Sequence, residues 1–211
     1  VIIVTAVAQG QNRLESSVSV SALDAESIAD LNPSSSADLI RQIPGIRSEA
    51  SGGEGNANIA VRGIPVSTGG ARYIQLQEDG LPVLEFGDIV FGNADNFVRA
   101  DRNVGRVEAV RGGSASTFAS NSPGGVINFI SKTGLEEGGA VAGTIGIDHE
   151  TYRLDFDYGG ALDATSYFHV GGFYRTGEGV RDTGFNGKEG GQIKANLTTE
   201  FDGGYIRFMT D

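Results

Sequence analysis

From about Gly138 onward the chain alternates apolar and polar residues with a period of two. Val141, Ile145 and Ile147 fall on one face, with Ala142, Thr144 and Asp148 on the other. Tyr152, Leu154, Phe156 and Tyr158 then alternate with Arg153, Asp155 and Asp157. Phe168, Val170 and Tyr174 alternate with His169, Gly171 and Arg175, although Tyr167 and Phe173 interrupt the polar face. Ile193, Ala195, Leu197 and Phe201 oppose Gln192, Lys194, Asn196 and Glu200, and Ile206 and Phe208 oppose Arg207 and Met209. Successive side chains of a strand point to opposite faces, so this pattern predicts antiparallel strands with one apolar face each. Each run is about ten residues, the length at which a tilted strand crosses a hydrocarbon layer. Residues 159–165 and 202–204 make short connections and residues 177–188 a long polar one, while the turn near His149 is very tight. Tyr152, Tyr174, Phe201 and Tyr205 lie near strand ends, where an interfacial aromatic girdle would place them. A soluble β-sandwich with one wet face shares the period of two; the aromatic placement favours a membrane barrel.

The earlier residues follow a different pattern. Asp24 precedes apolar residues at helical spacing, Ile28 and Leu31, which predicts an N-capped helix. A second helix is predicted over residues 36–43, with Leu39, Ile40 and Ile43 on one face; Pro44-Gly45 ends it. Strands are predicted over residues 58–62, 73–77, 106–111 and 125–131, separated by glycine- and asparagine-rich loops. This half reads as a compact α+β domain, and the domain limits expected are 1–6, 7–135 and 136–211.

Composition narrows the choice. The 211 residues include 33 glycines, 5 prolines and no cysteine, so disulfide frameworks, thiolate zinc sites and cysteine nucleophiles are excluded. The formal charge of −11 argues against a nucleic-acid binder, which needs cations to neutralise phosphates. No apolar run approaches a transmembrane helix, which leaves a β-barrel untouched. His149 and His169 lack ligand spacing, Asp155 to Gly160 lacks the ligands of a calcium loop, and residues 112–116 lack the lysine of a phosphate cradle. No catalytic constellation, metal site or cofactor is expected. The absence of an initiator methionine and a last strand that stops in mid-pattern lead us to expect a processed or truncated chain.

Several segments resemble the TonB-dependent receptors, active-uptake transporters of Gram-negative outer membranes. Val1-Ile2-Ile3-Val4-Thr5-Ala6 is similar to the family's TonB box, and residues 36–45 to the helix and Pro-Gly that open its plug. Ile59-Ala60-Val61-Arg62-Gly63 and Asp79-Gly80-Leu81-Pro82-Val83 match further plug segments. The most specific signature joins residues 104–112, Val-Gly-Arg-Val-Glu-Ala-Val-Arg-Gly, to residues 121–132. Gly113 stands where the family usually has proline, and Phe118-Ala119 where it has Tyr-Gly.

The resemblance implies an α+β plug domain followed by antiparallel transmembrane β-barrel strands, here about the first five of some twenty-two. It implies TonB-dependent import of a scarce or bulky solute, a siderophore-type iron chelate or an oligosaccharide, with the plug gating the barrel and no enzymatic activity. The partners implied are TonB, outer-membrane lipid and the solute, with no nucleic acid, at the Gram-negative outer membrane. Ile2, Ile3, Val4, Thr5 and Ala6 would be gripped by TonB through strand addition. Arg62, Glu108 and Arg111 would either lock the plug to acidic groups of the barrel wall or be ordinary solvated strand charges. Arg72, Glu85, Phe86, Asn93 and Phe118 would meet the solute, or serve to pin their loops. Two alternatives stand beside import: a receptor of the same kind that mainly signals, and a soluble β-rich adhesion or carbohydrate-binding module.

Overall fold

The computed structural model describes residues 2–3, 5, 11–12, 19–50, 54–64, 73–83, 95, 97–112, 115, 119–120 and 122–211. The chain divides into two units, residues 1–100 with 104–131, and residues 101–103 with 132–211.

In chain order the first unit contains β1 (Ile2–Ile3), β2 (Gln11–Asn12), β3 (Val20–Asp24), α1 (Ala25–Leu31), α2 (Ser36–Arg41), β4 (Ile46–Glu49), β5 (Asn58–Val61), β6 (Ile74–Glu78), β7 (Leu81–Pro82), β8 (Val104–Arg111) and β9 (Gly125–Ser131). A five-stranded sheet runs β3-β8-β9-β6-β7, antiparallel except for the β6–β9 pair. One face of this sheet presents Leu76, Val107, Ala109, Ile127 and Phe129 to a core shared with Ile28 of α1, Leu39 and Ile40 of α2, and Ile59 and Val61 of β5. Leu39 and Ile40 are fully buried, worth roughly 1.5–3 kcal/mol each against leaving them in water.

The helices start where the chain predicts. The Asp24 carboxylate accepts from the Ser27 N–H, which pulls its pKa below the usual carboxylate value. Ser35 and Asp38 form a reciprocal capping box on α2, a start signal the apolar spacing alone does not reveal. That helix ends at Arg41 rather than Ile43. Its last turn tightens, with Gln42 N–H on the Leu39 carbonyl and Ile43 N–H on that of Ile40, because Pro44 cannot continue it. Strands β3 and β4 are additions to the expected set. Arg62 is a correction: it stands just past β5 in a turn, with φ at 48°, not within a strand.

The second unit is a five-stranded antiparallel sheet in sequential order: β10 (Gly138–Ile145), β11 (Glu150–Ala161), β12 (Ser166–Gly179), β13 (Gly190–Phe201) and β14 (Gly204–Thr210). Ile147 falls in the tight turn after β10 and is almost fully exposed, so the apolar face of that strand ends at Ile145. Register makes the polar rows continuous. Thr144, Arg153 and Arg175 form one row, Ala142, Asp155, Phe173 and Gln192 the next, and Ala140, Asp157, Gly171 and Lys194 the third. Tyr205 is a second correction. It pairs with Glu200 and shares its face with Arg207, whose guanidinium lies 5.2 Å from the ring, so it belongs to the polar face and not to an apolar girdle.

Candidate functional site

The two faces of the second unit are inverted relative to a water-soluble sheet. Val141, Leu154, Tyr174, Ile193 and Phe208, all on the apolar face, are between 52% and 73% exposed. On the polar face Asp155, Asp157, His169, Lys194, Asn196 and Thr198 are all buried. Charges so placed need partners, since an isolated ion in a low-dielectric interior is prohibitively costly. They have them. Arg153 donates through Nη2 to Asp155 at 2.7 Å and stacks 4.0 Å above the Phe173 ring, with Arg175 5.9 Å from that ring. This explains the aromatic on the polar face: Phe173 is the platform for two guanidiniums. Tyr167, the other interruption, donates its hydroxyl to Glu200 at 2.7 Å.

Asp157 is the hub of this face. Arg102 Nε donates to Oδ1 and Lys132 Nζ to Oδ2, each at 2.8 Å, and His169 Nε2 lies 3.4 Å from Oδ2. Arg102 sits in the short turn of residues 101–103, and Asp101 of the same turn accepts from Gln192 Nε2 at 2.7 Å. The Lys132 N–H donates to the Asn103 carbonyl, and the Lys132 carbonyl accepts from Asn196. The turn fits because Gly171 leaves a notch. A Cβ there would come within 2.6 Å of Asn103 Oδ1 and 2.7 Å of the Phe156 carbonyl. None of these residues was singled out from the sequence as a lock; a lysine, an arginine and an aspartate far apart in the chain give no local signal of meeting.

Of the three expected lock residues, the structure brings two together. Arg111 Nη1 donates to the Pro44 carbonyl and Arg62 Nη2 to Ser19 Oγ at 2.9 Å. Both arginines converge on Gly45, where a Cβ would lie 3.6 Å from Arg111 Nη1 and 3.8 Å from Arg62 Cγ. Glu108 is a correction to that grouping. Its side chain is fully buried on the other part of the sheet, where Arg106 Nε meets Oε1 at 2.8 Å and Oε2 accepts from the Thr5 N–H at 2.8 Å.

Among the residues expected to contact TonB, Ile2 and Ile3 form β1, paired antiparallel with Asn12 and Gln11, and Thr5 is buried. Val4 and Ala6 lie outside the described residues, as do the expected solute-facing residues Arg72, Glu85, Phe86, Asn93 and Phe118. Asp95 is buried in the first unit and accepts from the Ala57 N–H at 2.8 Å; burial pushes its carboxyl above the usual value. Among the described residues no cluster of three side chains could hold a metal ion, and no helix is long and apolar enough to cross a membrane.

A helix-covered sheet unit followed by consecutive antiparallel strands with an exposed apolar face defines a plug and the strands of a large barrel. The chain belongs to the TonB-dependent receptors: the model of the TonB-dependent receptor plug domain matches residues 12–126. The ferric enterobactin receptor of Pseudomonas aeruginosa is 26% identical over 96% of the chain and 33% of its own length. The vitamin B12 transporter BtuB of Photobacterium profundum is 30% identical over 58% of the chain and 19% of its own. Among solved structures, the ferric yersiniabactin uptake receptor FyuA of Yersinia pestis superposes with a TM-score of 0.66 at 24% identity, over 88% of this chain and 29% of that one. The chain thus spans about a third of the length of the ferric enterobactin receptors it matches.

Proposed function

We propose that the chain is the plug-bearing part of a receptor that imports a siderophore-type iron chelate across a Gram-negative outer membrane, driven by TonB. The observation that carries this reading is the inverted second unit: an apolar face left bare and a charged face buried and internally paired. Such a surface suits hydrocarbon outside and a polar lumen within. Strands of 12 to 14 residues, as in β11 to β13, reach about 40 Å along the chain and so span a ~30 Å layer when tilted. Likeness to the ferric enterobactin receptor over nearly the whole chain supports an iron chelate over an oligosaccharide. Residues 2–6 are short, uncharged and rich in β-branched side chains, which suits strand addition to a periplasmic partner.

Uptake of a radiolabelled ferric siderophore tests the reading, using the full-length receptor in cells with and without TonB. Uptake is expected only with TonB, while surface binding persists without it. Proline at Ile3 should abolish uptake and spare binding, because proline cannot join a main-chain ladder. Equal uptake with and without TonB, or growth support by oligosaccharide alone, refutes it.

A further inference from the structure

The connection between β12 and β13 carries a chemistry that the rest of the chain does not share. Asn186 is followed by Gly187, whereas every other asparagine of the sequence precedes proline or a residue bearing a side chain. The main-chain nitrogen of the next residue attacks an asparagine amide most readily when that residue has no Cβ to obstruct the approach. The loop requires glycine there for a separate reason: a Cβ at position 187 would stand 3.0 Å from the Glu178 carbonyl oxygen. Both residues are exposed and lie outside the strand ladders. Hydrogen bonds tie the main chain on either side of them. Glu178 Oε2 accepts from the Thr183 N–H at 3.2 Å, Thr183 Oγ1 donates to the Phe185 carbonyl at 2.7 Å, and the Lys188 N–H donates to the Gly177 carbonyl at 2.9 Å. The Asn186 side chain has a tie of its own, from Nδ2 to Thr176 Oγ1 at 3.1 Å, which binds the amide nitrogen to β12.

We propose that Asn186 is a site of spontaneous deamidation whose rate is set by the hydrogen bond to Thr176. The Gly187 nitrogen attacks Asn186 Cγ and forms the new C–N bond of a succinimide. The Cγ–Nδ2 bond breaks, and ammonia departs with the proton given up by the Gly187 nitrogen. Water then opens the ring at either carbonyl and leaves aspartate or isoaspartate, so water is the only reagent consumed. Residues 177–189 hold two cations, Arg181 and Lys188, and three acids, Glu178, Asp182 and Glu189, so their charge passes from 2 − 3 = −1 to −2. Isoaspartate also lengthens the main chain just before the Lys188 N–H that closes the loop.

Peptide-resolved mass spectrometry of the full-length receptor, aged in micelles in mildly alkaline buffer, tests the site. The peptide containing Asn186 should convert to aspartate and isoaspartate forms faster than any other asparagine peptide of the chain. Asn186→Gln should remove the signal, because the longer side chain would have to close a larger ring. Thr176→Val, which removes the acceptor with little change of shape, should speed conversion about fivefold, as expected for the loss of one exposed hydrogen bond. The Asp-Gly pairs at 79–80 and 202–203 release no ammonia and do not add to this signal. An Asn186 that stays intact in the folded receptor while converting in the urea-unfolded one overturns the proposal, as does conversion no faster than at Asn196. An unchanged rate in Thr176→Val, with β12 still protected from hydrogen exchange, overturns the restraint by Thr176.

Discussion

Replacing Asp157 with alanine gives the sharpest test of how the turn of residues 101–103 is held on the polar face of the barrel sheet. The carboxylate takes Arg102 and Lys132 at 2.8 Å each and is 95% removed from water, whereas the two cations keep 27% and 28% of their side-chain exposure. Removing one member of a fully buried ion pair costs about 3–5 kcal/mol, because the other is left unpaired. Here the cations recover part of their hydration through the exposed quarter, which brings the expected loss to about 2–3 kcal/mol. That corresponds to about 30- to 150-fold in the local opening constant. The reporter is the Lys132 amide, which donates to the Asn103 carbonyl and exchanges only when the turn lifts. Hydrogen exchange of the full receptor should show this amide deprotected by that factor in Asp157→Ala, and less in Asp157→Asn, which keeps one acceptor. A double-mutant cycle with Arg102→Met should return a coupling of about 1 kcal/mol or more. Native protection of Lys132 in Asp157→Ala, or a coupling of zero, refutes the hub.

The notch at Gly171 should be equally intolerant. Gly171→Val drives a side chain into Asn103 and into the fixed backbone of β11, at about 1–3 kcal/mol of overpacking, visible as lost protection at the same Lys132 amide. On the opposite face, Leu154→Arg should lower the stability of the barrel by about 2–4 kcal/mol in a bilayer refolding titration, the cost of a cation on a lipid-facing strand. If the apolar face met water instead, that change would be neutral. Asp95→Asn tests the first unit. Its folded pKa is raised, so whatever stability the group contributes is full below about pH 3.8 and is lost as pH rises through the folded value. The amide keeps an acceptor for the Ala57 N–H and cannot ionise, so stability measured from pH 4 to 7 should fall less steeply in the variant; an unchanged slope rejects the assignment.

Much of the second unit was legible because alternation survives any local detail: parity alone assigns Asp155, Asp157 and His169 to one face and Leu154 and Phe156 to the other. Parity also governs Tyr205, which an aromatic near a strand end tempts one to place with Phe201, yet it stands two residues from Arg207 and must share its face. In the plug, Asp24 and Pro44 mark helix limits because capping and the missing proline N–H are local physics. Strand β3 was not legible: Val20 to Asp24 is five residues long and becomes a strand by pairing with β8, far along the chain. Glu108 illustrates the same limit. Its place two residues from Val110 suggests one network with Arg111, but the pleat separates them, since the Arg111 head turns to Pro44 while the Glu108 carboxylate meets Thr5. Long-range partners decide the role of a buried charge, and a single sequence does not display them.

The arrangement of charge on the barrel sheet bears on how a channel can be wide, polar and still stable. Each buried acid on this face has a cation within one row or one turn: Asp155 with Arg153, Asp157 with Arg102 and Lys132. Pairing fixes geometry more dependably than it adds net stability, so the gain is in position. Arg153 and Arg175 flank one phenyl ring, which holds two like charges apart at a fixed height on the wall. Within that same unit, Asp157 ties two cations far apart in the chain, Arg102 and Lys132, to one carboxylate, so the turn of residues 101–103 is held in place by charge as well as by the Lys132 main chain.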